Sequence, residues 1–256
     1  MYRIPFVACL LLAAGLTTVL SAQTTTHKKT LALGKQVFEL HNVTGAVIQF
    51  EGKPVLKIER DLTAIPFDST RVQATVDEPH FATIAGLDDF ENGSIEVKMY
   101  SQLQNPAPYS GIAGFIGVCF KVQQNDSAFE CIYVRPKVGR IQNQLYRNHA
   151  VQYISYPQYK FDSLRKIAPY QYEGSAPVAL NEWITMRIEV NGQTAEMFIN
   201  NQPYSSFIVH KMLGKHTKGG IALYVDIGTI GYFKDVKITK KALKVTTAGS
   251  ARADKI

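Results

Sequence analysis

The sequence is poor in the residues that build several common chemistries. Cysteine occurs three times and tryptophan once in 256 residues. That excludes a disulfide-dense scaffold, and it leaves too few thiolates for a structural zinc site. Charged residues make up 19% of the chain and aromatic residues 11%, a balance that excludes wholesale disorder. Apart from one run at the extreme N-terminus, no apolar stretch approaches membrane-spanning length, which excludes a polytopic membrane protein. Several catalytic signatures are also missing. There is no Gly-rich phosphate loop, no Gly-x-Ser-x-Gly elbow and no Glu-x-Asp-x-x-Glu strand of the kind that sets glucanase carboxylates on one face. The six histidines are scattered, and no acidic loop is dense enough to signal calcium. Neither a metal nor a cofactor is expected.

The N-terminal run carries its own message. Met1-Tyr2-Arg3 is a short positive segment, Ile4 to Leu20 is apolar, and Ser21-Ala22 precedes polar Gln23 to Lys29. This is the order of a secretory signal peptide cut after Ala22, with an uncleaved anchor as the alternative. Cys9 sits inside the apolar run, where it cannot be a lipidation site. Export to the periplasm or beyond is expected, with no stable membrane insertion once residues 1–22 are removed. The formal charge is +7, and much of the surplus lies from Lys234 to Lys255. Residues 241–256 therefore read as a basic solvated tail, and export argues against nucleic acid as a ligand.

From Gln36 onward the apolar residues recur with period two. Ile95, Val97 and Met99 alternate with polar neighbours, as do Ile184, Met186, Ile188 and Val190. Asn191-Gly192 then breaks the pattern before Ala195, Met197 and Ile199 resume it, the strongest short-range hairpin signal. Further strands are expected at, among others, Gly114–Val122, Phe129–Arg135, Ile141–Tyr146 and Val151–Ser155. Phe161–Ile167 is the one helical candidate, and a bulge is expected near Lys234-Asp235 because Phe233 falls out of phase with Val236. Many short strands with frequent turns make residues 31–240 a single all-β sandwich. Cys119 and Cys131 flank the turn centred on Asn125. They read either as a disulfide or as two small buried side chains one register step apart.

Two constellations could carry chemistry. Tyr146–Tyr172 is dense in tyrosine and includes Arg147, Asn148, His149, Gln152, Tyr153 and Tyr156. Flat rings beside bidentate polar groups suit sugars, whose apolar C–H faces are ringed by hydroxyls. The second is Glu130, a carboxylate inside the otherwise apolar run Ala128–Val134, which must face water, a partner or a ligand. Arg135, Arg140 and Arg147 are its possible partners.

Phe90-Glu91-Asn92-Gly93-Ser94-Ile95-Glu96-Val97 resembles the leading strand of concanavalin A-like lectin/glucanase sandwiches. Asn181 to Ile188, Phe198-Ile199-Asn200-Asn201, Gly219 to Leu223 and Tyr232 to Ile238 are similar to their later strands. Within that superfamily the chain looks most like secreted bacterial proteins related to the 3-keto-disaccharide hydrolase domain, with laminin-G-like modules as neighbours. The resemblance implies a jelly-roll β-sandwich of two antiparallel sheets. It also implies that Phe129-Glu130 matches an aromatic-Glu pair at the sugar pocket, although the Asp that usually follows is absent.

These readings converge on an exported carbohydrate-binding sandwich. Tyr153 and Tyr156 would stack on sugar rings, while Arg135, Arg147, Asn148 and Gln152 would bond hydroxyls. In the enzymatic alternative, Glu130 is the acid or base on an oxidised glycoside and His149 assists. Proton abstraction beside a 3-keto group needs one base and no carboxylate pair. A non-catalytic envelope interaction module is the remaining alternative.

Overall fold

The computed structural model describes residues 29–244. The expected signal segment Met1–Ala22 and residues 245–256 of the expected tail lie outside the described residues. In chain order the strands are β1 (Thr30–Leu33), β2 (Gln36–His41), β3 (Val43–Phe50), β4 (Lys53–Arg60), β5 (Phe81–Ile84), β6 (Gly93–Leu103), β7 (Ile116–Val122) and β8 (Phe129–Val134). They continue with β9 (Val151–Tyr156), β10 (Glu173–Gly174), β11 (Trp183–Asn191), β12 (Thr194–Ile199), β13 (Phe207–Val209), β14 (Gly220–Val225) and β15 (Thr229–Lys240). Among the described residues three short α-helices interrupt them, α1 (Val72–Thr75), α2 (Gln144–Arg147) and α3 (Phe161–Ile167), with 3-10 turns at Gln124–Asp126 and Pro136–Val138. No helix among the described residues is long and apolar enough to cross a membrane.

Two antiparallel sheets make the jelly-roll sandwich. One runs β1-β2-β5-β14-β7-β8-β9-β10 and the other β13-β12-β11-β6-β15-β4-β3. Strand alternation explains the second sheet: β11 is buried at every other residue from Ile184 to Val190, so one face packs on the core and the other meets solvent. The first sheet differs, because β7, β8 and β14 are buried at every position. Its inner face packs on the partner sheet. Where Gly231 of β15 lacks a side chain, Val225 Cγ1 stands 2.4 Å from the place a Cβ would occupy. Its outward face is roofed by the segment between β4 and β5, which carries α1, and by the segment between β9 and β10, which carries α3.

The turns follow their sequence signals closely. Residues 123–128 join β7 to β8, with Asn125 at φ 62°. The β15 pairing with β6 slips between Lys234 and Lys237, and Asp235 takes φ 53°, which is the expected bulge. The β11–β12 hairpin pairs Asn191 with Thr194, so its central residues are Gly192 and Gln193, one step beyond the expected Asn-Gly. Gly192 at φ 60° supplies the left-handed backbone.

Two expectations need correction. Ile141–Tyr146 is not a strand. The Asn143 side chain accepts from the backbone N–H groups of Leu145 (3.1 Å) and Tyr146 (3.3 Å), and that cap starts α2 instead. Cys119 and Cys131 are directly paired across β7 and β8, not one register step apart. Both are free thiols, with Sγ atoms 2.9 Å apart on the roofed face.

Candidate active site

Strand pairing sets one row of side chains straight across the outward face of the first sheet. His41, Phe81, Tyr224, Gly117, Tyr133, Gln152 and Glu173 are successive partners from β2 to β10. One step further along, Asp226, Phe115 and Arg135 continue on the same face beyond the strand ends. The roof segments close over these rows and leave two adjoining cavities. The inner one, of about 140 Å³, is lined by Asp77, Tyr109, Phe115, Tyr133, Arg135, Phe161, Arg165 and Asp226, among others. The outer one, of about 440 Å³, shares Phe115, Arg135 and Arg165 and adds Ile112, Val138, Ile141, Tyr146 and His149.

Asp77 is the titratable centre of the inner cavity. It is 1% exposed and sits at φ 57°, a left-handed backbone that non-glycine residues rarely adopt. Tyr133 Oη donates to its Oδ1 at 3.1 Å, and the Phe161 backbone N–H donates to its Oδ2 at 2.9 Å. Burial and the nearby Asp226 carboxylate push its carboxyl up to about 6; the Phe161 bond and the Arg135 charge pull the other way. A carboxyl that ionises near neutrality, bonded yet facing a cavity, is equipped to take a proton.

Asp226 is the scaffold beneath it. Its Oδ1 accepts from Arg60 at 3.0 Å and from the Ile227 backbone at 2.6 Å. Its Oδ2 accepts from Tyr224 Oη at 2.9 Å and from the Asp77 backbone N–H at 3.1 Å. Burial alone would raise this carboxyl, but His80, Arg60 and the backbone donors outweigh it and hold the group low. Asp226 thus stays ionised, and it ties the roof at Asp77 to the end of β14. Arg60 fastens the same roof further along through the carbonyls of Ile65 (3.1 Å) and Pro66 (3.3 Å). Lys160 bridges to Glu78 and to the Val76 carbonyl.

A second charged group joins the cavities. Arg135 donates to the His149 carbonyl (2.6 Å), Gln152 Oε1 (3.1 Å), Tyr133 Oη (3.3 Å) and Glu173 Oε1 (3.3 Å). Arg165 donates twice to Glu173, at 2.6 and 2.9 Å. Burial favours the neutral form of Glu173, but these bonds and the charges of Arg135, Arg165 and His149 win and lower it. His149 Nδ1 lies 2.9 Å from Glu173 Oε2. The Arg165 guanidinium lies 3.3 Å from the same nitrogen, so His149 is held between Glu173 and Arg165 at the wall of the outer cavity.

Of the residues expected from sequence, the structure therefore brings Arg135 and His149 to the site, with Gln152 as an anchor. Gln152 is fully buried and its amide donates to the carbonyls of Tyr153 and Tyr172, so it braces Arg135 and has no free group for a sugar. Glu130 is elsewhere. It lies an odd number of positions from Arg135, and strand alternation turns it into the space between the sheets. There it is 3% exposed, with Tyr153 Oη on Oε2 at 2.5 Å and the Gly214 backbone N–H on Oε1 at 2.9 Å; burial raises its carboxyl. The carboxylate found its partners in a neighbouring phenol and a backbone N–H, not in an arginine.

The same alternation buries Tyr153 completely on the inner face, where no sugar ring can reach it. Tyr156 faces the roof, but its ring stacks on Phe129 at 4.9 Å and its hydroxyl donates to Glu78 at 3.0 Å. Arg147 turns back to the Ile141 carbonyl and Asn148 accepts from Gln144, so α2 spends both on its own surroundings. Asp77, Tyr133, Arg165, Glu173 and Asp226 were missed. Asp226 carried a readable signal, since Ile221 to Val225 is as apolar as the strand that drew attention to Glu130. Asp77 carried none, because its site exists only once the roof has folded back.

Residues 72–239 match the model of the 3-keto-alpha-glucoside-1,2-lyase-like domain. The chain belongs to that family. The matched span holds Asp77, Tyr133, Arg135, His149, Arg165, Glu173 and Asp226, while Arg60 lies outside it. No curated protein matches the chain. Among solved structures it is similar to the carbohydrate-binding module CBM66 from Bacillus subtilis, with 10% identity over 77% of this chain and 94% of that one, TM-score 0.43. It is also similar to the exoplasmic/lumenal domain of VIP36 (7% identity, 80% of this chain and 84% of that one, TM-score 0.41). A third is the galectin LEC-6 from Caenorhabditis elegans (12% identity, 59% and 86%, TM-score 0.35). None of the three transfers a ligand or a site residue to this member of the 3-keto-glucoside lyase-like family.

Proposed function

We propose that this protein cleaves 3-keto-glycosides by elimination, with Asp77 as the base. The observation that carries the reading is the buried Asp77 carboxyl, poised at about 6 beside Tyr133 and Arg135, in a chain of this family. A keto group at C3 acidifies the C2–H bond. Asp77 takes that proton, the C–H electron pair becomes the C1–C2 double bond through an enolate, and the C1–O bond to the leaving group breaks. Arg135 and Arg165, both lining the inner cavity, offset the negative charge that develops on the keto oxygen. His149, which lines the outer cavity, is the acid that returns a proton to the departing oxygen. One base suffices, which agrees with the missing glucanase carboxylate pattern.

The same reading includes export. Residues 1–22 have the charge, length and small terminal residue of a cleaved leader, and an N-terminal mass determination on protein from the culture or periplasm tests the cut after Ala22.

The test of the chemistry is proton NMR on residues 23–256 mixed with 3-keto-glucosides. Turnover gives a new vinylic C1 proton and the free alcohol, Asp77→Asn abolishes both, and Glu130→Gln retains them. Saturation transfer to a 3-keto-glucoside that stays intact would instead make the cleft a binding site without turnover.

A further inference from the structure

The outer cavity is unlike a sugar subsite. Ile112, Phe115, Val138, Ile141 and Tyr146 give its wall a continuous apolar component. Ile141 is 40% exposed and Tyr146 59%, and both sit at the mouth because the Asn143 cap turns this stretch into α2 and its preceding loop. A second sugar ring would present several hydroxyls, and such a wall gives them few partners. The polar side chains here are Ser110, His149, Lys137, Arg135 and Arg165; Lys137 Nζ already donates to the Ile112 carbonyl at 3.1 Å, and both arginines already bond Glu173. The cavity continues directly from the proposed reaction centre through Phe115, Arg135 and Arg165, so whatever occupies it is joined to the bond being broken.

We infer that the outer cavity holds the leaving group of the substrate, and that this group is a flat apolar alcohol such as an aryl or benzyl aglycone, not a second sugar. The inference rests on the proposed elimination for the identity of the bond broken, and on the wall for the chemistry of the group. Tyr146 and Phe115 offer ring faces, Ile112, Val138 and Ile141 offer aliphatic surface, and the His149 imidazole stands where the departing oxygen must be protonated. Arg135, Arg165 and Lys137 outnumber Glu173 among the charges here, so a cationic aglycone is disfavoured.

The experiment compares benzyl and methyl 3-keto-α-glucoside, whose alcohols are closely matched as leaving groups, with 3-keto-maltose as the disaccharide. Wild type is expected to prefer benzyl over methyl by at least about tenfold in kcat/KM, carried by KM, and to take the disaccharide no better than the methyl compound. Tyr146→Ala and Ile141→Ser, both at exposed positions, should bring the benzyl-to-methyl ratio to within about twofold of one. Reading a ratio removes any general loss of folded protein. A wild-type ratio near one, a ratio unmoved by both variants, or preference for the disaccharide would overturn the inference. Binding of the unoxidised benzyl and methyl glucosides, followed by saturation-transfer NMR, separates the two failures. Tyr146-dependent retention of the benzyl glucoside without turnover of any 3-keto compound would keep the subsite and overturn the elimination. No retention and no turnover would overturn both.

Discussion

Tyr133 Oη stands between the two charged groups of the inner cavity, donating to Asp77 Oδ1 at 3.1 Å while accepting from Arg135 at 3.3 Å. The bond to Asp77 favours the ionised carboxylate, and it opposes the burial and the Asp226 charge that push the group up. Tyr133 is therefore a positioning residue whose removal has a defined electrostatic sign. Its own phenol is held well above the ordinary range, by burial first and then by Asp77, so it stays a donor through neutral pH.

The pH profile is the first prediction. A base must be ionised to act, so kcat/KM on a 3-keto-glucoside should rise with pH through an acidic limb centred at about 6. Tyr133→Phe removes one stabilising bond to the carboxylate, and the limb should move up by roughly half to one pH unit. An acidic limb that does not move would show that Tyr133 does not tune the base.

Asp77 should also cost the protein stability. Its carboxyl is raised from 3.8 to about 6 in the fold, so the folded state holds the proton more tightly than the unfolded chain. Stability from this group is full below pH ~4 and is lost as pH rises through about 6. Asp77→Asn should match wild type near pH 4 and be more stable at pH 8, by up to ~3 kcal/mol. Thermal melts at the two pH values read this directly, and an Asn variant that is no more stable at pH 8 would contradict the raised carboxyl.

Asp226 should behave in the opposite way. It pairs with Arg60, itself buried at 4% exposure, and Asp226→Ala leaves that guanidinium uncompensated. Breaking a buried pair costs about 3–5 kcal/mol, which in a domain of this size lowers Tm by roughly 10 °C. The double variant Asp226→Ala/Arg60→Met should recover much of the loss, because no buried charge then lacks a partner.

The two thiols provide a structural check on the roof. Burial raises both Cys119 and Cys131 above the ordinary thiol range, and roofing removes them from solvent. In residues 23–256, an alkylating reagent should add nothing to the native protein at neutral pH and two labels after denaturation. No label after denaturation would mean that the pair is oxidised.

Much of the architecture was legible because period-two alternation reports directly which face of a strand is buried. β11, β12 and the bulge in β15 were read that way, and the helix α3 stood out against it. The stretch before Tyr146 was not, since a single Asn143 cap outweighs a short apolar alternation. The site was legible only in part. Arg135 and His149, both named from the sequence, line the candidate cavities, but Glu130 was assigned to a ligand on the sound rule that a carboxylate in an apolar strand needs a partner. That rule leaves open which face the carboxylate occupies and what waits there. Parity alone separates Glu130 from Arg135 and Tyr153 from Gln152, and parity becomes a direction only when the two sheets have docked.

What the sequence determined by itself is local: strand alternation, the Gly192 turn and the bulge in β15. These follow from neighbouring residues competing for one backbone geometry. What tertiary structure decided is the site. Asp77 and Asp226 are 149 positions apart and meet through the Asp77 backbone N–H. The cavity they share forms because loops from distant parts of the chain cover one sheet. Burial then raises the Asp77 carboxyl into the neutral range, and desolvation of that kind belongs to the assembled fold and to no segment of the sequence.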